Sequence, residues 1–356
     1  VKPSDPFLSL HEGWAQISLG EFWKIKLGRQ ELNYDNFRFL GNLDWALQAR
    51  AHDFALAKYE KENLKLHFGG GYNQDGQFLS GTIFETPNQY KTAQMLRFEN
   101  KWGAFHLSAL LWNDGRQFTE LDDAGNVVDK GVYYRLTLGL PTLKYQLGNT
   151  LLSAFYYHQL GKDPEGKNTN AFDVSVQLTQ TLMSNEERGS SFKAAAGCEI
   201  LSGTATDETG DNHSFSHLYG TNHLYNGYMD LFFVGGRFEN SVGLQDYYLK
   251  GRYQFGPRLF TQLDAHLFFA QADVKQPNNM NQLQTLDPYL GTEIDVSIGF
   301  ILNRALSIQG GYSQMLPAST LETLQGKDSY KDMQNWAYLM LIFRPTMKNR
   351  FIGILF

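Results

Sequence analysis

Among 356 residues there is one cysteine, Cys198, so the chain closes no internal disulfide and builds no cysteine-based zinc site. Long apolar runs are missing too. The longest is Trp336–Phe343, far short of the roughly 18–20 residues that a membrane helix needs. Charge of one sign is also scarce. Lys plus Arg is 31 against 37 Asp plus Glu, a net charge of -6, and no basic block offers a nucleic-acid surface. The opening Val1-Lys2-Pro3-Ser4-Asp5-Pro6 has no basic-then-apolar leader. We read this as a signal peptide already removed or a trimmed start, and not as a mark of the cytoplasm.

What the chain does have is aromatics, 14% of all residues, with 34 glycines and strict alternation over segments of about ten residues. In 171–181, Phe172, Val174, Val176 and Leu178 alternate with Asp173, Ser175, Gln177 and Thr179. In 258–269, Leu259, Leu263 and Leu267 oppose Gln262, Asp264 and His266. In 292–300, Ile294, Val296, Ile298 and Phe300 oppose Glu293, Asp295 and Ser297. A period of two with one apolar and one polar face is a strand signature.

Strands are expected near 12–19, 22–30, 48–59, 62–72, 90–101, 103–113, 131–141, 148–160, 168–181, 190–201, 241–255, 257–271, 291–302, 304–315 and 335–345. Short connections alternate with long ones such as 73–89, 114–130, 202–240, 272–290 and 316–334. Short turns on one side and long loops on the other describe a transmembrane antiparallel β-barrel with periplasmic turns and extracellular loops. One all-β barrel domain over 1–356 is expected. It would have about 16 strands if 350–356 adds a last one, or 18 if N-terminal strands are missing. Trp23, Trp102, Trp112, Tyr133, Tyr134, Tyr156, Tyr157, Tyr247, Tyr248, Tyr253, Trp336 and Tyr338 lie near segment ends, where interfacial girdles sit.

Charges at mid-depth on the lipid side cost roughly 2–4 kcal/mol for Lys or Arg, so strand parity assigns them to the lumen. The expected pore-lining cations are Lys24, Lys26, Arg97, Arg135, Lys250 and Arg252. The expected pore-lining acids are Asp173, Asp246, Asp264, Glu293 and Asp295, with Glu99 beside them. Opposed basic and acidic walls would set a transverse field across a polar pore; equally, the charges could neutralise one another and hold the wall. Arg29 shares the parity of Ile25 and Leu27, so it is placed at the rim, tying a loop down through Asp35 or Asp44. Loop 31–47, with Asp35, Arg38, Asp44 and Trp45, and loop 202–240 are the candidates to fold inward and narrow the bore. His213, His217 and His223 in the second loop have no spacing that commits them to a metal, and no metal or other cofactor is expected.

Two stretches carry more than a generic pattern. The first is Leu27-Gly28-Arg29-Gln30-Glu31-Leu32 followed by Tyr34-Asp35, Arg38-Phe39-Leu40-Gly41, Asp44-Trp45, Arg50 and Asp53. The second is Tyr219-Gly220-Thr221-Asn222-His223, Gly227-Tyr228, Asp230-Leu231-Phe232 and Gly243-Leu244-Gln245-Asp246-Tyr247-Tyr248. Together they resemble the alginate-export family of outer-membrane channels, in its Bacteroidetes-type form, over about residues 22–345. That resemblance implies a monomeric eighteen-stranded barrel in the outer membrane of a Gram-negative bacterium, passing an anionic polyuronate. Only about one strand precedes the first stretch here, and the net charge is acidic.

The expected function is therefore a passive diffusion or export channel for small polar or anionic solutes, acidic saccharides included, with no chemistry performed. Its partners would be outer-membrane lipid and the solute. The alternative is a structural barrel, its pore plugged, that serves a larger envelope complex. An enzyme is not expected: His106, His158 and His266 lie on strands without a serine or aspartate arrangement that builds a triad.

Overall fold

The computed structural model describes residues 10–43, 49–73, 89–217, 219–232, 240–277, 282–326, 334–345 and 353–356. Fifteen strands form one continuous antiparallel sheet in which each strand pairs with its neighbours in chain order. They are β1 (Gly13–Ser18), β2 (Trp23–Gln30), β3 (His52–Lys61), β4 (Leu64–Tyr72), β5 (Thr92–Trp102), β6 (Phe105–Leu121), β7 (Val127–Leu147) and β8 (Thr150–Lys162). These are followed by β9 (Asn168–Asn185), β10 (Ser190–Leu201), β11 (Leu244–Gly256) and β12 (Leu259–Phe269). A small separate hairpin, β13 (Lys275–Pro277) with β14 (Leu283–Thr285), precedes the last three sheet strands. Those are β15 (Tyr289–Ile301), β16 (Leu306–Pro317) and β17 (Gln334–Phe343), with the short helix α1 (Ser319–Gln325) between the last two.

Each strand foreseen in the sequence is present. Residues 353–356 are not a strand, and 346–352 lie outside the described residues, so the sixteenth strand has no support. The expected loop 114–130 is instead a ribbon. β6 and β7 pair from Phe105↔Tyr145 out to Leu121↔Val127, whereas β5 leaves β6 at Gly115 and β8 leaves β7 at Arg135.

The two faces of the sheet are inverted relative to a water-soluble protein. On β12 Leu263 is 53% exposed while Asp264 beside it is 1% exposed. Ile294, Val296, Ile298 and Phe300 on β15 are exposed while Glu293, Asp295 and Ser297 are buried. The same holds for Val176 and Leu178 against Asp173 and Ser175 on β9. An outward apolar band and an inward polar face are the signature of a transmembrane barrel wall.

Several aromatic expectations fail on the same parity: Tyr248 shares the inner face with Asp246 and Lys250 and bonds Gln177, and Tyr338 accepts from the buried Gln309. Trp112 and Tyr157 are almost fully buried on the inner face, in contact with Phe39, so they do not belong to an outer girdle. Trp23, Trp102, Tyr134 and Tyr247 are exposed, as a girdle requires.

Candidate functional site

The long loops after β2 and β10 turn into the concave side of the sheet and pack there together. In the first, Leu32, Phe39 and Leu40 are buried among inward aromatics of the wall. Phe39 lies against Trp112 and Tyr157, while Trp112 stacks on Phe54 at 5.8 Å. These are apolar residues in a loop, and burying them inside the sheet removes them from water. The second loop joins through backbone bonds. Gly41 N donates to the Tyr219 carbonyl and Thr221 N to the Phe37 carbonyl, each at 2.8 Å. The half-buried Arg50 guanidinium donates to the Gly220 carbonyl, and the Tyr225 hydroxyl to the Asn36 carbonyl at 2.6 Å. Gly220 packs so closely on Phe37 and Arg38 that a Cβ there would overlap the Arg38 carbonyl.

Charge fixes this pair of loops to the wall. Asp35 accepts from Arg97 of β5 at 2.8 Å and from Ser108 of β6 at 2.5 Å. Arg38 is fully buried, 2.7 Å from Glu199 of β10 and 3.5 Å from Asp173 of β9, and donates to Asn226 at 2.8 Å. Tyr219 is bonded to Asp114 and accepts from Arg116, both on β6. Asn226 donates to Glu199 and Asp246, Tyr228 to Asp264, and Met229 N to Glu293. The two loops thus touch inward residues from β3 to β15. This is possible only because the sheet curls around them.

Burial governs the ionisation of the loop groups. It pushes the Arg50 guanidinium down to about 10. It pushes the His217 imidazole well below its ordinary value, helped by the nearby charges of Arg38 and Arg50. It raises the Tyr219 and Tyr228 phenols. His217 is therefore neutral at pH 7.

Of the residues singled out in the sequence, Arg97, Arg135, Asp173, Asp246, Asp264, Glu293 and Asp295 are buried on the inner face, and Lys250 is nearly so. Lys250 lies 3.8 Å from Asp264, and His266 bridges Asp246 at 2.9 Å toward Asp295 at 4.0 Å. Lys24, Lys26 and Arg252 also face inward and keep part of their surface open. Lys24 pairs with Glu60 at 2.8 Å, Lys26 sits 4.0 Å over the Trp14 ring, and Arg252 lies 4.0 Å from the Phe260 ring. Arg29 does not reach Asp35. It forms a two-pronged pair with Asp53 at 2.9 and 2.7 Å, across the β2–β3 register, on the exposed side of the rim. Asp35 is taken by Arg97 instead, and Asp44 lies outside the described residues. Glu199, Asn226 and Asp114 belong to the same constellation. Parity would have found Glu199 and Asp114, since each alternates with outward neighbours on a strand.

The acids concentrate on β9–β15 and the wall cations Arg97, Arg116 and Arg135 on β5–β7, with Arg38 reaching across. Among the described residues no group of His, Cys, Asp and Glu has the geometry to hold a metal ion.

No protein-family model matches the chain, and no curated protein matches it in sequence. Solved structures do. The chain is similar to OccK10 (OpdN) of Pseudomonas aeruginosa, with a TM-score of 0.54 at 13% identity, over 92% of this chain and 81% of that one. It is similar to OccK11 (OpdR) of the same organism, with a TM-score of 0.52 at 14% identity, over 90% and 76%. It is also similar to OccAB1 of Acinetobacter baumannii, with a TM-score of 0.52 at 11% identity, over 90% and 74%. These neighbours are β-barrel porins, and the fold is theirs.

Proposed function

We propose that the protein is a diffusion channel of a Gram-negative outer membrane, passing small polar and anionic solutes without chemistry. The observation that carries this reading is the inverted wall: an exposed apolar band outside, ionisable residues inside, and two loops folded between them. A soluble protein would have no use for the first and could not tolerate the second, because unpaired charges inside a dry core cost several kcal/mol each. Selection would come from the width left beside the loops and from wall charges that replace part of a solute's hydration. Such a site must bind weakly enough to release. The porin neighbours support the channel, and the two alginate-export-like stretches support an acidic saccharide as solute. In this reading one barrel forms the whole chain, works as a monomer, and has lipid and solute as its partners.

The buried state of Asp173, Glu199, Glu293 and Asp295 beneath the loops favours a second reading, a barrel whose bore is closed and which serves as a structural subunit. Planar-bilayer recording separates the two. Stepwise single-channel currents, reduced by uronate oligosaccharides and not by neutral ones, are the expected result. Silence from protein shown to be folded would discard the channel in favour of the structural subunit.

A further inference from the structure

One panel of the inner wall holds more carboxyls than cations. In the register of β12 and β15, Asp264 stands directly opposite Asp295, and His266 directly opposite Glu293. β11 adds Asp246, Tyr248 and Lys250, and β10 adds Glu199. On the other side β16 brings Ser313 and β17 brings Tyr338. The loop over the panel contributes His223, Tyr228 and Asp230. The cations are already committed. Arg38 sits between Glu199 and Asp173, Lys250 lies 3.8 Å from Asp264, and Arg252 turns to the Phe260 ring. His266 Nδ1 bonds Asp246 at 2.9 Å, and His223 pairs with Asp230 at 2.8 Å.

Glu293 and Asp295 are what remains. Both are buried, two residues apart on one face of β15, with their carboxyl groups in contact. Glu293 Oε1 accepts from Met229 N at 2.9 Å. Its Oε2 and both Asp295 oxygens have no donor at bonding distance among the described residues, and His266 Nε2 is 4.0 Å from Asp295. Two carboxylates in one buried site repel strongly when both are ionised; a shared proton turns one into a donor to the other. Among the described residues no group of acids and histidines has the geometry to hold a metal ion, so a proton is the counter-charge that fits. The loop is seated directly on this pair. Gly227, at φ +81°, lies so close that a Cβ would overlap the Glu293 carboxyl. With the loop lifted, lumen water would solvate both carboxylates and the proton would leave.

We propose that Glu293 and Asp295 form a proton-sharing latch: the docked segment 226–229 traps one proton between their carboxyls, and alkaline solution lifts the segment by removing it. The docked form binds one proton more than the lifted form. Docking is therefore complete below the pH at which the trapped proton leaves, and weakens up to about tenfold for each pH unit above it. His217 acts on the opposite side, since burial favours its neutral form and its protonation in acid opposes docking. The bore is then narrowest between the two limits. The latch rests on the channel reading for its current readout alone.

Limited proteolysis of loop 219–232 in the folded, detergent-solubilised protein, from about pH 7 to 9.5, reads the latch without conduction. Cleavage, normalised to an unfolded substrate at each pH, should rise toward alkaline solution by up to about tenfold per unit. Single-channel conductance should rise over the same range. E293Q keeps an acceptor for Met229 N, and both E293Q and D295N supply an amide donor where the proton would stand. Each variant should therefore stay docked and lose the alkaline rise, with Lys250, Tyr228 and Tyr338 unchanged as controls. Infrared spectra at pH 7 should show a protonated-carboxyl band in the parent that is reduced in E293Q and in D295N. Cleavage that ignores pH in the parent, an alkaline rise that survives in both variants, or a carboxyl band that neither reduces would overturn the latch. A silent bilayer with pH-dependent, variant-sensitive cleavage would discard the channel and leave the latch standing.

Discussion

A fully buried guanidinium between two carboxylates makes Arg38 the most consequential side chain of the plug. Burying such a group is costly, and the cost is recovered only while both signs are present. Replacing Arg38 with Met leaves Asp173 and Glu199 facing one another without a cation. Breaking a buried pair in this way costs about 3–5 kcal/mol, enough to move a docked loop to a largely undocked population. R38M should therefore raise single-channel conductance and expose loop 31–43 to protease. The triple variant R38M/D173N/E199Q, which removes both signs, should restore the parent values. If R38M and the triple variant both behave as the parent, Arg38 does not hold the loop. His217 supplies a second switch at this scale. Its native value lies well below the ordinary histidine value of 6.5, so the undocked form binds a proton more readily. Docking is then fully favourable above about pH 6.5 and weakens by up to roughly 1.4 kcal/mol per unit as pH falls below that value. Conductance should rise on acidification from pH 7.5 to 5, and H217N should flatten that rise.

At the scale of elements, the strands were readable and the connections were not, for one physical reason. A strand between lipid and lumen must alternate, because its two faces meet different solvents. Val174, Val176 and Leu178 against Asp173, Ser175 and Gln177 show that rule directly. Beyond the bilayer the rule lapses. The outer parts of β6 and β7, with Gln117, Phe118 and Thr119, meet water on both faces and carry no period, so a paired ribbon looks like a loop in the letters. The hairpin β13–β14 and helix α1 escaped notice in the same way. The plug was legible as a composition, with Arg38 and Asp35 too structured for a tether, while Trp45 of the same stretch lies outside the described residues. Its contacts were not, since Asp35 with Arg97 and Arg38 with Glu199 join residues far apart in sequence. Trp112 could have been assigned correctly, since it shares parity with Asp114. Where the loops meet, Gly220 offers a steric test. A valine there must displace the Arg38 and Phe37 carbonyls, so G220V should part the loops and enlarge the current while leaving heat-modifiable mobility of the barrel intact.

For the whole molecule, the exposed apolar band and the buried charges are two consequences of one arrangement. They make opposite demands on neighbouring residues. Leu263 is 53% exposed and faces the lipid side midway along β12, while Asp264, next in sequence, is buried against Lys250 and Tyr228. In water an exposed leucine exchanged for arginine on a strand is close to neutral. In a bilayer the same exchange at mid-depth costs about 2–4 kcal/mol and much less near the interfaces. L263R should accordingly lower the folding stability of the barrel in lipid vesicles by that amount, whereas arginine at Tyr247, closer to the rim, should cost about 1 kcal/mol or less. Denaturant titrations of the two variants in vesicles measure the difference directly. A depth-independent result, or a neutral L263R, would mean that the apolar band does not meet lipid, and the barrel wall would have to be explained by a covering protein instead. Tyr247 also bonds Gln245 and meets the Phe269 ring, so Y247L is the reference for arginine there, and what remains between the two sites is the solvent each one faces.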